Sequence, residues 1–360
     1  MKFAFLVQGE GRGHMTQAIA LYNLLTRNGH HITCVFIGIS ERRKVPEYFY
    51  ESIDAPVIEV RSPNFVTDDQ NKSIRIFHTL WYNTGFLKTY WKSLKKIHNT
   101  LEEFKPDVLI NFYDFLGGFY FRLFKTNIKH VAIGHQFLAE HPDFPFKSGA
   151  PVDKKLFQIN NYLMSMGATK KIALSFMPYE PLKVKKTVVT PPLVREEIKS
   201  LEAKADDFIL GYMVNAGYGT DIIEWHKNNK EIRLHCFWDN KQAPNPYEPH
   251  ENITFHQVDA HLFQEYMKNC KGYVSTAGFE SICEAMYLGK PVLMVPVEGQ
   301  YEQACNALDA AQAGAGIYAE KFDISLLVDY LPHHRPIGQK FREWVQKGEE
   351  IFLTELTRLS

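Results

Sequence analysis

The sequence predicts an α/β protein built from two doubly wound, Rossmann-like domains that face each other across a cleft. The first observation is length, because 360 residues exceed the roughly 250–300 at which a single hydrophobic core stops growing. The second is that short apolar runs alternate with helical patterns, which predicts parallel sheets covered by helices on both faces. The third is a proline-rich break, "VVTPPLVREEI", after which the alternation starts again.

Each predicted element follows from the spacing of apolar residues. The first half predicts strands at 3–7, 31–37, 56–60, 107–112, 130–134 and 171–175, and helices near 15–27, 74–103 and 153–165. The second half predicts strands at 207–214, 232–237, 253–256, 272–275 and 291–295, helices at 220–229, 259–269, 279–288 and 301–313, and one amphipathic helix at 337–358. We therefore expect an N-terminal domain over 1–190, a linker over 191–205, a second domain over 206–335 and a C-terminal helical segment over 336–360 that packs back toward the first domain.

Charge and cysteine usage narrow the class of protein. Lys and Arg together number 41, as do Asp and Glu, and a chain without net charge lacks the positive field that drives nucleic-acid binding. The five cysteines are scattered without a CxxC pair, which favours reduced thiols in the cytoplasm over a disulfide or zinc framework. No signal-peptide pattern opens the chain, and no run reaches the roughly 18 apolar residues of a membrane span. We expect a cytoplasmic protein that binds no nucleic acid.

The stretch "VQGEGRGHMTQAIAL" follows the first buried strand and opens a helix. A dinucleotide-binding turn would need GxGxxG and an acidic residue ending the second strand, but the spacing here is GxGxG and the second strand, "HITCVFIGIS", has no acid before Glu41. A Walker loop would need Gly-Lys-Ser/Thr, which is absent. The remaining interpretation is a turn whose backbone approaches a substrate closely and which presents His14 into a cleft, near an anion at the helix start. A packing or capping role for His14 is the alternative.

A second group of polar residues lies in "YVSTAGFESICEAMYLGKPVLMVPVEGQYEQACNA", which starts at Tyr273. Small residues link the strand to a helix beginning near Phe279, and this geometry accepts a phosphate. One to two turns into the helix, the Glu284 carboxylate could accept hydrogen bonds from two adjacent hydroxyls, as on a ribose. The loop after the next strand carries polar groups that could bind sugar hydroxyls. Each feature alone also fits a plain turn, a solvated glutamate or a polar loop, but their order favours a nucleotide-sugar site.

These two motifs resemble those of GT-B glycosyltransferases, a group that includes the MurG-like N-acetylglucosaminyltransferases and the UDP-glycosyltransferases. The matching residues are the turn Gly9-Glu10-Gly11-Arg12-Gly13-His14, then Thr276-Ala277-Gly278, Glu284, Gly289-Lys290-Pro291, Pro296, Glu302-Gln303 and Asn306-Ala307. The resemblance implies a GT-B fold and transfer of a sugar from a nucleotide sugar, with UDP as the expected nucleotide, to an acceptor hydroxyl. It implies no cofactor besides this donor.

The resemblance also assigns roles. His14 would be the catalytic base, Glu284 would bind the ribose, the backbone around Thr276–Phe279 would bind the diphosphate, and Glu302 with Gln303 would contact the sugar. The turn "NAGYG" in the second domain would face the same phosphates. The expected donor-binding residues are Gly11, Gly13, Asn215, Gly217, Ser275, Thr276, Ala277, Gly278, Phe279, Glu284, Glu302 and Gln303. Glu302 stands where Asp is more usual, which leaves the donor's identity open.

No Asp-x-Asp motif stands at a strand end, so we expect an inverting, metal-independent transfer in which helix N–H groups neutralise the leaving diphosphate. A histidine with a pKa of about 6.5 is partly neutral at physiological pH and can accept the acceptor's proton. Asp114 and His135, at ends of first-domain strands, are alternative bases or orienting groups.

The acceptor is less defined. Residues 74–97 combine aromatic and aliphatic side chains on one side with lysines on the other, which could bring an anionic membrane and a lipid-linked acceptor to the protein. A core-packed helix with a solvated lysine face is the alternative.

Other activities remain open on the same scaffold. A UDP-sugar 2-epimerase would share the nucleotide site but need several carboxylates in the cleft and no acceptor. A non-catalytic binding protein would close on a nucleotide sugar without turnover, and a dehydrogenase would use a nicotinamide.

Overall fold

The computed structural model describes residues 1–40, 45–63, 85–182, 186–213 and 217–359, and within them it contains two seven-stranded sheets. The first sheet consists of β1 (Lys2–Gln8), β2 (His31–Ile39), β3 (Val57–Arg61), β4 (Val108–Phe112), β5 (Lys129–Ile133), β6 (Lys170–Leu174) and β7 (Thr187–Thr190). Its strand order is β3-β2-β1-β4-β5-β6-β7, and every neighbouring pair is parallel.

The second sheet repeats this plan. It consists of β8 (Ile209–Met213), β9 (Leu234–Trp238), β10 (Tyr247–His250), β11 (Ile253–Gln257), β12 (Gly272–Ser275), β13 (Val292–Met294) and β14 (Gly316–Tyr318). Its order is β10-β11-β9-β8-β12-β13-β14, and only the edge strand β10 pairs in antiparallel fashion. The prediction of two Rossmann-like sheets is confirmed.

Helices connect these strands. Among the described residues they are α1 (Arg12–Arg27), α2 (Glu47–Glu51), α3 (Leu87–Phe104), α4 (Phe115–Leu123), α5 (Pro151–Met164), α6 (Glu196–Lys199), α7 (Tyr218–His226), α8 (Ala260–Asn269), α9 (Phe279–Tyr287), α10 (Tyr301–Gln312), α11 (Ser325–Tyr330), α12 (Gly338–Gln346) and α13 (Gly348–Thr357). Two 3₁₀ segments lie at His135–Glu140 and Leu331–His333.

The structure differs from the sequence prediction at short elements and at the C-terminus. Strands β7, β10 and β14 have four residues or fewer and lack a long apolar run, which is the signal that identified the other strands. The predicted helix 337–358 is two helices that break at Lys347, where the following Gly348 lowers helix propensity. Of the predicted helix 74–103, residues 74–84 lie outside the described ranges.

Burial explains why the central strands form. Residues 3–7 of β1 are fully buried, because the strand is flanked by strands on both edges and by helices on both faces. One apolar cluster continues from this core into the second sheet and includes Met15 and Ile19 on α1 together with Phe279 and Ile282 on α9. The two sheets are therefore joined by a shared packed interior behind the space between them.

The last two helices contact the first half of the chain. The Trp344 indole N–H donates to the Ser175 carbonyl at 3.0 Å, and Lys170 forms an ion pair with Glu355. These contacts hold the C-terminal segment against the sheet formed by the first half.

Close packing of α4 on α5 generates a stability prediction. A Cβ added at Gly118 would overlap the Leu163 carbonyl oxygen, so Gly118→Ala should push the two helices apart and cost about 1–3 kcal/mol in the free energy of unfolding. The matched control is Leu123→Ala on the same helix, which should change stability by less than about 0.5 kcal/mol because that side chain is 56% exposed. Urea midpoints measure both, and equal midpoints for the two variants would contradict the close approach.

Candidate active site

A cleft of about 410 Å³ lies between the carboxyl ends of the two sheets, the position at which doubly wound sheets bind ligands. Both halves of the chain contribute to its walls. The expected site residues that line it are Gly11, Gly13, His14, His135, Gly278, Phe279, Glu284, Glu302 and Gln303. Residues far apart in the sequence thus meet in one cleft.

Close packing explains why glycine stands at two positions around the start of α1. The Gly9 N–H donates to the Gly38 carbonyl at 3.0 Å, and a Cβ on Gly9 would overlap that oxygen. A Cβ on Gly13 would lie 3.0 Å from Cγ of Glu280, on the second domain. Glycine at position 13 therefore allows the N-termini of α1 and α9 to meet across the cleft.

His14 lies in the first turn of α1, on the wall of the cleft. Its ring stacks on Tyr113 with centroids 5.6 Å apart, and Nδ1 lies 3.4 Å from Oε1 of Gln17. Burial lowers the pKa of His14 to about 4. The imidazole is therefore neutral at physiological pH, so one of its two ring nitrogens carries a free lone pair.

The opposite wall is formed by the start of α9. Gly278, the residue before this helix, and Phe279 line the cleft, whereas Ser275, Thr276 and Ala277 are buried beneath them. Ala277 adopts a left-handed backbone with φ of 53°, which makes the sharp turn from β12 into α9. Backbone N–H groups at such a helix start attract an anion.

Glu284 is buried and forms an ion pair rather than facing solvent. The Arg195 guanidinium donates to its Oε1 from Nε at 2.8 Å and from Nη2 at 2.6 Å. Burial raises the pKa of Glu284 and Arg195 opposes the rise. Sequence reasoning missed Arg195, although its place in "PPLVREE", between the predicted domains, was a usable signal.

Two more carboxyls of the second domain are held by amides of the first. Gln17 donates to Glu280 Oε1 at 2.5 Å, and Gln136 donates to Glu302 at 2.9 Å. Burial raises the pKa of Glu280 to about 8 and that of Glu302 to about 7. Gln17, Gln136 and Glu280 were not predicted from the sequence.

Gln303 accepts from the Val297 N–H at 2.8 Å and so shapes its own loop.

His135 is almost fully buried in the wall of the cleft. Its Nδ1 donates to the Leu174 carbonyl at 2.8 Å, its ring stacks on Phe279 at 4.2 Å, and burial lowers its pKa to about 4. These contacts anchor the ring between the two domains and support a structural role.

Asp114 is not among the residues that line the cleft. Its buried carboxylate caps α4 by accepting from the Leu116 N–H at 2.8 Å and also accepts from Ser62 Oγ at 2.7 Å. An aspartate just before an apolar helix is a typical N-cap, and this explains its position in the sequence.

Gly217, just before α7, is also absent from the residues that line the cleft, and Asn215 lies outside the described ranges.

The described residues contain neither a cluster of metal-ligating side chains nor a membrane-spanning helix. No three His, Cys, Asp or Glu side chains there lie close enough together to hold a metal ion. None of the helices described there has the length and apolar character to span a bilayer.

The buried ion pair generates a prediction. Arg195→Met leaves the Glu284 carboxylate buried without its cation and should cost about 3–5 kcal/mol of stability near neutral pH. The deficit should shrink at acidic pH, because Glu284 is then protonated in both the folded and the unfolded state. Urea denaturation at two pH values measures it.

The matched control is Lys199→Met, which removes a more exposed pair with Glu196 in the same segment and should change stability by less than about 1 kcal/mol. The double variant Arg195→Met/Glu284→Leu should recover most of the loss. An Arg195→Met protein as stable as the wild type would contradict a structural role for the pair.

Curated relatives of this chain carry transferase names. An uncharacterized glycosyltransferase of Methanosarcina acetivorans is 25% identical over 339 residues, covering 88% of this chain and 83% of the relative. A second relative, from Thermotoga neapolitana, is 25% identical over 282 residues, covering 74% of this chain and 75% of the relative. Its name is UDP-N-acetylglucosamine–N-acetylmuramyl-(pentapeptide) pyrophosphoryl-undecaprenol N-acetylglucosamine transferase.

Solved structures share the whole architecture at low identity. MurG of Acinetobacter baumannii aligns over 99% of this chain and 100% of its own, with a TM-score of 0.58 and 14% identity. Phytolacca americana UGT2, complexed with UDP-2fluoro-glucose and pterostilbene, aligns over 97% of this chain and 94% of its own, with a TM-score of 0.63 and 12% identity. These likenesses confirm the GT-B fold. The family model for glycosyl transferase family 1 matches residues 1–333, and the chain therefore belongs to this family as a GT-B glycosyltransferase.

Proposed function

We propose that the protein transfers a sugar from a UDP-sugar to an acceptor hydroxyl, with inversion at the anomeric carbon and without a bound metal ion. The observation that carries the proposal is that His14, from the first domain, and the start of α9, from the second, line one cleft. A base on one wall and an anion site on the other are the two elements that direct displacement of a nucleoside diphosphate needs.

The donor would lie along the second domain. Its diphosphate would meet the N–H groups at Gly278 and Phe279, with the Arg195 guanidinium as the nearby cation. Its ribose would contact Glu284, which would then share its carboxylate between the ribose and Arg195. The name of the Thermotoga relative favours UDP-N-acetylglucosamine as the first donor to test. No cofactor beyond the nucleotide sugar enters this proposal.

The chemistry then follows from the neutral imidazole. As the acceptor oxygen bonds to the anomeric carbon, His14 takes its proton, and the bonding electrons to the diphosphate oxygen leave with UDP. General-base help of this kind contributes roughly 10²–10⁴-fold in rate. Glu302, held by Gln136, would bind hydroxyls of the transferred sugar.

One observation favours a second candidate, a UDP-sugar 2-epimerase. Six carboxyls line the cleft, at Glu10, Asp153, Asp259, Glu280, Glu284 and Glu302, and such an enzyme would need several. Incubation of UDP-sugars without an acceptor separates the candidates, because an epimerase forms the epimer under these conditions and a transferase does not.

We also propose that the protein contacts an anionic membrane that carries a lipid-linked acceptor. On α3, Leu87 is 65% exposed and Trp91 is 45% exposed, and Lys95 lies over the Trp91 ring at 5.7 Å. Leu123 on α4 adds a further exposed apolar side chain, at 56%. Apolar groups beside lysines are what an acidic bilayer surface binds.

The proposed transfer reaction generates a prediction about His14. His14→Ala should lower the transfer rate by about 10²–10⁴-fold and leave donor affinity nearly unchanged, because the base acts on the acceptor. Release of UDP measures turnover and calorimetry measures donor binding. Chelation of divalent ions with EDTA should not change the wild-type rate.

Three outcomes would contradict this proposal. An unchanged rate in His14→Ala removes His14 from the mechanism, and a rate abolished by EDTA removes metal independence. Tight donor binding with no transfer to any acceptor would indicate a binding protein.

The proposed membrane contact generates a separate prediction. The protein should bind vesicles of phosphatidylcholine and phosphatidylglycerol at low salt, bind less as salt rises, and bind less when Trp91→Ser removes the exposed ring. The control is Tyr162→Ser on α5, which removes an aromatic residue that is 68% exposed on a different helix. Equal retention of both variants would argue against this surface.

A further inference from the structure

The candidate base is connected to the second domain through one amide side chain. His14 Nδ1 lies 3.4 Å from Oε1 of Gln17, and Gln17 Nε2 donates to Oε1 of Glu280 at 2.5 Å. The first contact is long, as catalytic hydrogen bonds in ligand-free sites commonly are. Gln17 is only 3% exposed, so solvent does not compete for its amide. The three side chains form one continuous path from α1 to α9.

The direction of each hydrogen bond follows from the chemistry of the groups. A carboxylate only accepts, so the Gln17 amide must turn its NH₂ toward Glu280 and its carbonyl oxygen toward His14. A carbonyl oxygen also only accepts, so Nδ1 of His14 must carry the ring proton. Nε2, for which the described residues provide no hydrogen bond, then keeps its lone pair.

The same direction holds when Glu280 is protonated. Its Oε2 is buried and lacks a hydrogen-bond partner among the described residues, whereas Oε1 receives the Gln17 amide. A proton on Oε2 leaves Oε1 as an acceptor, so the Gln17 amide does not need to turn over. The tautomer of His14 is thus fixed in both ionisation states of Glu280.

We propose that Gln17 and Glu280 are positioning residues for the transfer reaction: together they hold His14 in the Nδ1–H tautomer and make Nε2 the atom that takes the acceptor's proton. This inference rests on the proposed function of His14. Because Glu280 belongs to the second domain, the base is fully oriented only when the two domains are in contact.

Gly13 leaves room for the Glu280 side chain. A Cβ at this position would stand 3.0 Å from Cγ and 3.7 Å from Cβ of Glu280, a tight contact that the Glu280 side chain would have to relieve by a small shift. The alternating glycines thus have a reason beyond substrate approach.

The charge on Glu280 affects how readily His14 takes up a proton. The charged or titratable groups that act on it are Glu284 and Cys283 on its own helix and Arg195 from the segment between the domains, and burial raises its pKa to about 8. As His14 becomes an imidazolium, an ionised Glu280 stabilises it through the Gln17 amide. We therefore expect kcat/KM to rise as the pH passes through about 8, because this ratio reports ionisations of the free enzyme.

The test combines ¹⁵N NMR of the histidine rings with UDP release from UDP-N-acetylglucosamine to water, in the full chain. The His14 resonance is assigned by its loss in His14→Gln. The wild type should show Nδ1–H, whereas Gln17→Leu and Glu280→Leu should show a mixture of tautomers and a kcat/KM about 10–100-fold lower.

Glu280→Gln is the informative variant, because its side-chain oxygen still accepts from Gln17 but cannot ionise. This variant should keep the wild-type tautomer of His14 and most of the wild-type kcat/KM, and it should lose the rise in kcat/KM near pH 8. Tyr179→Phe is the matched control. It removes a different hydrogen bond between the domains, which the Tyr179 hydroxyl donates to Asp309 Oδ1 at 2.5 Å, and it should leave the His14 tautomer unchanged.

Three results would overturn the inference: Nε2–H in the wild type, a wild-type tautomer in Gln17→Leu, or Glu280→Gln as impaired as Glu280→Leu. Thermal melts identify variants that do not fold, and the comparison of Gln with Leu at position 280 remains decisive if Gln17→Leu is one of them. The NMR result is independent of turnover. A wild-type chain that releases no UDP and transfers no sugar overturns the proposed function, and with it the catalytic meaning of the tautomer.

Discussion

Contact between the N-termini of α1 and α9 is the constraint on which the site depends. Gly13 lies against Glu280, and Gln17 bonds to it, so the two helix starts cannot separate without breaking a buried hydrogen bond. Behind this polar contact, Met15 and Phe279 belong to one apolar cluster. The packed cluster supplies the burial energy, while the polar groups at its edge determine how the two helices are aligned. The His14 imidazole and the start of α9 therefore face the same cleft.

The fold could be predicted because buried parallel strands leave a strong local signal. The run at residues 3–7 is apolar throughout, and the structure buries it completely between two helical layers. Short edge strands such as β10 leave no such signal, since Tyr247–His250 is only partly buried and pairs with one neighbour. The break at Lys347 was missed because the apolar spacing continues on both sides of it.

For the site, the sequence predicted residues that belong to a motif and missed their partners. His14 and Glu284 follow strand ends in a recognisable order, whereas Arg195, Gln17 and Gln136 matter only because folding brings each beside a carboxyl from distant sequence. An isolated glutamine has no local pattern that predicts such a pairing. At Asp114 one position fits two roles: a carboxyl at a strand end suggests chemistry, and the same position is also where a helix needs its cap.

The partners of the buried carboxyls explain how an anionic donor could share the cleft with them. Glu284 faces a guanidinium and can remain ionised beside it, whereas Glu280 and Glu302 face neutral amides. Burial raises the pKa of Glu280 to about 8 and that of Glu302 to about 7, so protonation removes much of their negative charge near neutrality. A bound diphosphate would raise both values further, since like charges disfavour ionisation. Ionisation of Glu280 should therefore occur at higher pH in the donor complex than in the free enzyme, which separates the pH dependence of kcat from that of kcat/KM.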